Sequence, residues 1–196
     1  MKPFCSGGRG DARLLHALQR DEVTLDETNP FYFSKPLAPW VAVKCEKGRK
    51  QVPLKAVLKK ISNLKKRCDV LLIEGSGGLL VPLGEKYTVL DLIAALECSV
   101  VIVGKNKLGT INHSLLTLSA LQATDVKRLV IASMTQKKPD FSARTNLDVL
   151  RKWGNGEERL RVFGVPYLGK QASSLRGITG AEKKIKKVLA GLVRVI

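Results

Sequence analysis

The sequence predicts an α/β fold in which helices cover both faces of a mostly parallel sheet. Short, all-apolar runs alternate along the chain with segments of helical periodicity, which is the pattern of successive strand–helix units. The runs lack the polar alternation of a half-exposed strand, so we expect them to be buried on both faces. The chain of 196 residues, 44% of them hydrophobic, is long enough to form a single domain over residues 1–196.

The first half of the chain predicts two helices, a loop and a strand. Asp11–Gln19 has the pattern of a short helix. Thr28–Pro39 contains three prolines, which lack the N–H that a helix interior or a central strand requires, so we expect an extended loop. Apolar residues at helical spacing predict an amphipathic helix over Leu54–Leu64. Val70–Ile73 is all apolar and predicts a strand buried on both faces.

The second half alternates regularly between the two element types. Periodicity predicts helices at Thr88–Leu96, Ser114–Ala123, Asn146–Trp153 and Ala181–Leu192, and strands at Val100–Val103, Leu129–Ala132 and Val162–Val165. Strands that alternate with helices in this way predict a parallel sheet. Ligands bind beyond the carboxyl ends of the strands in such sheets, so the polar motifs that follow strands are the candidate site.

The formal charge of +17 raises the question of nucleic-acid binding, because clustered Lys and Arg neutralise phosphates. The densest cluster, Lys44–Arg67, holds ten basic residues and one acid, but its lysines lie largely off the apolar stripe of the predicted helix. A second cluster, Lys183–Lys187, has the same form. Only 5% of the residues are aromatic, so base stacking has little support. We therefore expect solvated basic faces and no nucleic-acid partner.

The composition also bears on the cellular compartment. No apolar run approaches the roughly 20 residues that span a bilayer, and the glycine-rich start lacks the apolar core of a signal peptide. The four cysteines have no CxxC or CxxH spacing, which indicates neither a zinc site nor a disulfide framework. We expect a soluble, cytoplasmic protein with reduced thiols and no membrane contact.

A glycine-rich motif, Glu74–Gly78, directly follows the strand predicted at Val70–Ile73. A carboxylate at the end of a buried strand is costly to leave unpaired. Magnesium, which favours one or two carboxylates together with phosphates, would satisfy it. The backbone N–H groups of the glycine turn would do so equally well. The glycines let the backbone come close to a ligand, or they simply form the turn, and the motif alone leaves both interpretations open.

A second polar motif, Lys105–His113, follows the strand predicted at Val100–Val103 and enters a helix. Thr110 and Asn112 bring polar side chains and free N–H groups to the helix start, where the helix dipole favours anions. Either residue would also serve as a plain N-cap. His113 has no metal-ligating residue at suitable spacing, which favours a structural role.

Five separated motifs together make the sequence resemble the dethiobiotin synthetase family. They are Lys2–Gly7, then Asp11, then Asn29–Pro30 with Pro36–Pro39, then Glu74–Gly78, and finally Leu108–His113 with Leu116–Thr117. Their order and spacing match the family from Lys2 to about Leu168. The resemblance implies a P-loop NTPase-like fold of the SIMIBI type and a cyclo-ligase of biotin biosynthesis that forms C–N bonds.

The resemblance also implies the reaction. Members of the family close the ureido ring of dethiobiotin from 7,8-diaminononanoate (7,8-diaminopelargonate), CO2 and ATP, with Mg2+, and act as homodimers. An amine captures CO2 as a carbamate, the carbamate attacks the γ-phosphate, and the second amine closes the ring on the mixed anhydride. Because every intermediate is anionic, positioned cations and N–H donors are expected to provide most of the catalysis.

The site residues follow from the same resemblance, position by position. Lys2 would be catalytic and would stabilise the carbamate and the transferred phosphoryl group. Asp11 and Glu74 would hold magnesium and contact the nucleotide. The substrate would be bound by Ser6 and, across the homodimer interface, by Thr110, Ile111 and Asn112. The nucleotide would also be contacted by Gly75, Ser76, Gly77, Ser133, Pro166, Tyr167 and Leu168.

The sequence departs from the family pattern at two points. Family members begin with a strand and a GTDTGxGKT-like phosphate loop well before the Lys-Pro motif, whereas this sequence starts at that motif. We expect Met1 to be an internal methionine or the edge of a fragment, so that this chain is an N-terminally truncated domain without its first strand and P-loop. The GxxxxGK spacing of Gly164–Lys170 is a poor replacement, because Gln171 stands where Ser or Thr would reach magnesium. The second departure is Ser133, where the family usually has an asparagine for the purine edge.

The sequence leaves two other functions open. A truncated homologue without catalysis would act as a dimeric binding or scaffold protein, and the absence of ATP binding would identify it. A cobyrinate-type amidating synthetase of the same superfamily is the other alternative. Its appended glutaminase domain has no counterpart in this sequence, and the Thr110–His113 motif favours dethiobiotin synthesis.

Overall fold

The computed structural model describes residues 1–19, 22–48, 50–154, 159–169 and 174–195. Contacts divide the chain into two compact units, Met1–Leu96 and Glu97–Ile196, and each unit is described by itself. The single domain expected from the sequence stays a prediction. Among the described helices, none combines the length and the apolar character that crossing a membrane requires.

The first unit opens with a parallel pair of short strands. In chain order its elements are β1 (Phe4–Ser6), α1 (Gly10–Leu18), α2 (Leu25–Thr28), β2 (Phe31–Phe33), α3 (Pro39–Cys45), α4 (Leu54–Lys65), β3 (Pro82–Gly84), β4 (Tyr87–Thr88) and α5 (Val89–Leu96). β1 and β2 are parallel, with Phe4 opposite Phe31, and β3 and β4 form an antiparallel pair. The helices predicted at Asp11–Gln19, Leu54–Leu64 and Thr88–Leu96 are confirmed as α1, α4 and α5.

The core of the first unit gathers residues from most of these elements. α4 buries Val57, Ile61 and Leu64, which recur at helical spacing, while its lysines lie exposed on the other side. These side chains pack with Phe4 and Phe33 of the paired strands. The solvated basic face expected for this helix is therefore confirmed.

Two predictions for the first unit are wrong. Thr28–Pro39 is not one extended loop, because Phe31–Phe33 lies between prolines and forms β2, and Pro39 occupies the first turn of α3, where its missing N–H costs nothing. Val70–Ile73 forms no strand and is not buried on both faces, since the side chains of Val70 and Leu72 are 72% and 71% exposed. Among the described residues, the backbone of this segment bonds only to Met1, whose nitrogen donates to the Leu72 carbonyl at 2.8 Å.

The second unit is built on a three-stranded parallel sheet in the order β5-β6-β7. Its elements are β5 (Val100–Asn106), α6 (Thr110–Gln122), β6 (Leu129–Thr135), a 3-10 turn over Phe141–Arg144, α7 (Asn146–Gly154), β7 (Leu160–Val165) and α8 (Leu175–Val195). Every strand and helix predicted for residues 97–196 is thus confirmed. β6 is central and largely buried, whereas Val101 and Val103 leave one face of β5 exposed, so burial on both faces is wrong for that strand.

Helices lie on both faces of this sheet, as predicted. A Cβ on Gly164 of β7 would lie 3.0 Å from the Leu147 side chain of α7. The neighbouring Phe163 points to the opposite face, where its ring would lie 2.9 Å from a Cβ on Gly191 of α8. On the α7 face, Ser133 of β6 lies between Gly104 and Gly164, so a row of small residues crosses the sheet.

Tyr87 offers a test of the first unit's core. Its hydroxyl donates to the Val52 carbonyl at 2.7 Å, and burial raises the pKa of Tyr87 to about 12. Because this pKa lies above the ordinary value of 10.0, the contribution of Tyr87 to stability is complete below pH 10 and is lost as the pH rises from about 10 to about 12.

We predict that Tyr87→Phe lowers the free energy of unfolding by about 1 kcal/mol at neutral pH, because a hydrogen bond is lost. Above pH 10, the free energy of unfolding of the variant should fall less steeply with pH than that of the wild type. Urea unfolding of both proteins at several pH values measures this, together with the tyrosinate absorbance. A Tyr87 phenol that titrates near its ordinary pKa would contradict the prediction.

Candidate functional site

The first unit holds a buried lysine between two carboxylates, and we call Lys2, Asp11 and Glu74 the Lys2 cluster. Lys2 Nζ donates to Asp11 Oδ2 at 2.9 Å and to Glu74 Oε1 at 2.5 Å. The Lys2 side chain is 10% exposed, against 71% for Asp11 and 51% for Glu74. The ammonium therefore lies beneath two carboxylates that both reach solvent.

Electrostatics keep this lysine charged. Burial disfavours its ammonium form, but the hydrogen bonds and charges of Glu74 and Asp11 more than offset that effect, so the pKa of Lys2 is raised above its ordinary value. An ammonium has three N–H donors, and two of them point at carboxylates. The third donor of Lys2 has no hydrogen-bond partner among the described residues, so it can serve a further anionic group.

Two backbone features bring the carboxylates to Lys2. Asp11 lies in the first turn of α1, where the helix dipole favours an acidic side chain. The Glu74 N–H donates to the Met1 carbonyl at 2.9 Å, which places Glu74 beside Lys2. The sequence left open whether magnesium or the glycine turn satisfies Glu74, and the structure adds a third partner, the Lys2 ammonium.

Asn29 and Arg9 fix the backbone of Lys2. The Asn29 amide is buried and donates to the Lys2 carbonyl at 2.8 Å and to the Pro3 carbonyl at 3.3 Å. Arg9 donates to Asn29 Oδ1 at 3.1 Å and to the Asn29 carbonyl at 2.9 Å. Sequence reasoning used Asn29 only as part of a motif and missed Arg9, because a side chain that bonds to distant backbone leaves no periodic signal.

Ser6 and the glycine turns complete the polar residues of the first unit. Ser6 Oγ is buried and has no hydrogen-bond partner among the described residues. Gly7 follows with φ +79°, and a Cβ there would lie 2.6 Å from Pro36. The Lys2–Gly7 and Pro36–Pro39 motifs are therefore in direct contact, and glycine is required at position 7. Gly77 also has φ +79°, so the turn after Glu74 requires glycine at that position, with Gly75 and Ser76 preceding it.

In the second unit, Gly109 starts α6 with φ +93° and is its N-cap residue, so the plain N-cap interpretation of Thr110 and Asn112 is wrong. The Thr110 side chain is buried, and its hydroxyl donates to the Lys105 carbonyl at 2.5 Å. Asn112 is exposed in the first turn of the helix, and Ile111 is half-buried. Of these residues, Asn112 presents the accessible polar side chain.

The remaining candidates of the second unit lie on β6 and after β7. Ser133 is 1% exposed, and its hydroxyl has no partner among the described residues. Pro166, Tyr167 and Leu168 follow the carboxyl end of β7. Leu168 lines a pocket of about 530 Å³ together with Gly169 and residues of α8, namely Arg176, Gly177, Gly180, Ala181 and Lys184. Lys170 and Gln171 of the GxxxxGK segment lie outside the described residues.

The donor set of the Lys2 cluster fits magnesium. Asp11 and Glu74 contact the same nitrogen, and Mg2+ is commonly held by one or two carboxylates plus substrate phosphates and water. Within the described ranges, no group of three or more His, Cys, Asp or Glu side chains is placed to hold a metal ion. Asp11 and Glu74 would supply two carboxylate ligands, alongside phosphate oxygens and water.

Comparison with known proteins gives a consistent result. A family model described as an AAA domain matches residues 1–171. The chain is similar to the ATP-dependent dethiobiotin synthetase BioD of an Anaeromyxobacter species, with 44% identity over 99% of this chain and 84% of that protein. It is also similar to the protein of the same name from Bacillus licheniformis, with 36% identity over 86% of this chain and 69% of the relative. The protein of that name from Methanocaldococcus jannaschii is 33% identical over 80% of this chain and 75% of the relative.

The bonding of Asn29 can be tested by its removal. We predict that Asn29→Ala lowers the free energy of unfolding by about 1–3 kcal/mol, because two buried carbonyls lose their donor and Arg9 loses an acceptor. Urea unfolding measures the change. Asn63→Ala, at an exposed position of α4, is the matched control. A loss for Asn29→Ala no larger than that of the control would contradict the role of Asn29.

Proposed function

The chain belongs to the dethiobiotin synthetase family of ATP-dependent ligases, and on that basis we propose that it closes the ureido ring of dethiobiotin from 7,8-diaminononanoate (7,8-diaminopelargonate), CO2 and ATP. The observation that carries the proposal is the buried Lys2 ammonium between Asp11 and Glu74. These are the three residues to which the resemblance assigns the central chemistry, and they are in direct contact.

Lys2 would act on the anionic groups of the reaction. The carbamate, the transferred phosphoryl group and the mixed anhydride all carry negative charge, and a fixed ammonium stabilises such charge most strongly in a buried site. Lys2 remains protonated because its pKa is raised, and one of its N–H donors is free of the carboxylates. Its backbone is held by Asn29, so the ammonium is positioned before substrate arrives.

Asp11 and Glu74 would hold Mg2+. The ion would neutralise charge on the ATP phosphates. Both carboxylates are exposed enough to be reached from solvent, and both are oriented by Lys2. The lysine would also limit the repulsion between the two carboxylates, which keeps them side by side without a metal.

Substrate contacts are proposed for both units. In the first unit, the unpaired Ser6 hydroxyl would bind the diamino acid, and Gly75, Ser76 and Gly77 would lie against nucleotide. In the second unit, Thr110, Ile111 and Asn112 at the start of α6 would bind the diamino acid in a homodimer. Proposed nucleotide contacts of the second unit are Ser133, Pro166, Tyr167 and Leu168. Support comes from the Ser133 hydroxyl, which has no partner among the described residues, and from Leu168, which lines the pocket after β7.

The proposal predicts a strong effect of Lys2 on turnover. Lys2→Gln should lower kcat by about 100-fold or more, because the charge that stabilises the developing anion is lost. Ring closure is measured as incorporation of labelled bicarbonate into dethiobiotin, and ADP release is followed in parallel.

Lys60→Gln, an exposed position of α4, is the control and should leave kcat unchanged. Circular dichroism shows whether Lys2→Gln remains folded. A folded Lys2→Gln enzyme with nearly wild-type kcat would overturn the assignment of Lys2. A wild-type enzyme that fixes no bicarbonate in the presence of the diamino acid and ATP would overturn the proposed reaction.

A further inference from the structure

The turn that leads into α6 is held by side chains from a separate segment of the second unit. We call Asp140, Ser142 and Asn146 the Asp140 clamp. Asp140 precedes the 3-10 turn and Asn146 begins α7. They contact the backbone of the turn Lys107–Thr110, which is more than thirty residues earlier in the chain. No motif in the sequence indicated this contact.

Asp140 holds one side of the turn. Its Oδ2 accepts the Leu108 N–H at 2.8 Å, and its Oδ1 accepts the Ser142 hydroxyl at 2.6 Å and the Ala143 N–H at 3.2 Å. The Ser142 hydroxyl and the Leu108 N–H lower the pKa of Asp140. The carboxylate therefore remains an ionised acceptor, which gives stronger hydrogen bonds than a neutral group.

Asn146 holds the other side. Its buried amide nitrogen has two N–H donors, which are shared among Asn106 Oδ1 at 2.9 Å, the Lys107 carbonyl at 3.2 Å and Ser142 Oγ at 3.3 Å. Asn106, also buried, donates in turn to the Ala143 carbonyl at 3.0 Å. The network is therefore continuous from the end of β5 to the start of α7.

The clamp forms hydrogen bonds to both sides of one peptide group, the Lys107 carbonyl and the Leu108 N–H. The same Lys107 carbonyl accepts the Thr110 N–H at 3.1 Å. Gly109 lies between Leu108 and Thr110, and its left-handed conformation sets the direction in which α6 leaves the turn. The position of the first turn of α6, and hence of Asn112, depends on these contacts.

We propose that the Asp140 clamp positions the diamino-acid site: it fixes the start of α6 and thereby determines affinity for the diamino acid but not for ATP. The inference rests on the proposed function, which assigns Thr110, Ile111 and Asn112 to that substrate. Hydrogen-bonded networks of buried polar groups make a local structure rigid. A displacement of about 1 Å in a binding group is enough to weaken a site severely.

The test compares variants of the protein by calorimetric titration with 7,8-diaminononanoate and, separately, with ATP. Asp140→Ala should weaken binding of the diamino acid about ten-fold or more, because a charged hydrogen-bond acceptor of the turn is lost. Affinity for ATP should stay within about two-fold. Asp140→Asn retains one acceptor oxygen, so it should restore part of the affinity. Asp148→Ala removes an exposed aspartate of α7 that pairs with Arg151, and it should bind both ligands like wild type.

Hydrogen exchange at the Leu108 amide provides a readout that does not depend on the substrate. Asp140→Ala should accelerate this exchange, whereas Asp148→Ala should not. Unchanged exchange in Asp140→Ala would overturn the clamp itself. Faster exchange with undiminished affinity for the diamino acid, or an equal loss of affinity for both ligands, would overturn its positioning role. A wild-type protein whose Leu108 amide is protected but which does not bind the diamino acid would overturn the proposed function, and the substrate role of the clamp with it.

Discussion

The burial of one ammonium group constrains the arrangement of the first unit. A lysine that is 10% exposed is stable only when anionic groups compensate for the lost hydration, and here two carboxylates from distant parts of the chain do so. The start of α1, which carries Asp11, and the segment that ends at Glu74 must therefore both lie beside Lys2. The parallel pairing of β1 with β2 and the bonds from Asn29 hold the backbone of Lys2 in place while this happens.

The two units position their polar residues by different physical means. In the first unit, full charges attract one another, and the backbone is arranged so that they meet. In the second unit, neutral amides and one carboxylate bond mostly to backbone groups, and helix α6 begins where those bonds direct it. Attraction between full charges weakens as dissolved salt screens them. The bonds of the second unit depend more on the geometry of their partners.

The sequence predicted the regular parts of the fold well, because repeated apolar spacing reports which side of a helix or strand is buried. It therefore located α1, α4, α5 and every α-helix and strand of the second unit. The predictions were wrong where the structure of a short segment depends on contacts with distant residues. Phe31–Phe33 forms a strand between prolines because a partner strand is available, and Val70 and Leu72 are exposed although their run is all apolar. The candidate site shows the same division: motifs indicated Lys2, Asp11 and Glu74, whereas Arg9 and the Asp140 clamp act through bonds to remote backbone that no local pattern encodes.

The close approach of α7 to the sheet has a consequence for how this protein varies among species. Leu147 lies against Gly164 and directly follows Asn146 of the clamp, and a Cβ at position 164 would meet its side chain at 3.0 Å. A methyl group gained on the strand requires the end of the Leu147 side chain to yield by a few tenths of an ångström, and any part of that displacement passed on to α7 would also move Asn146. Among species, a larger residue at position 164 is therefore expected together with a smaller or differently oriented side chain at position 147.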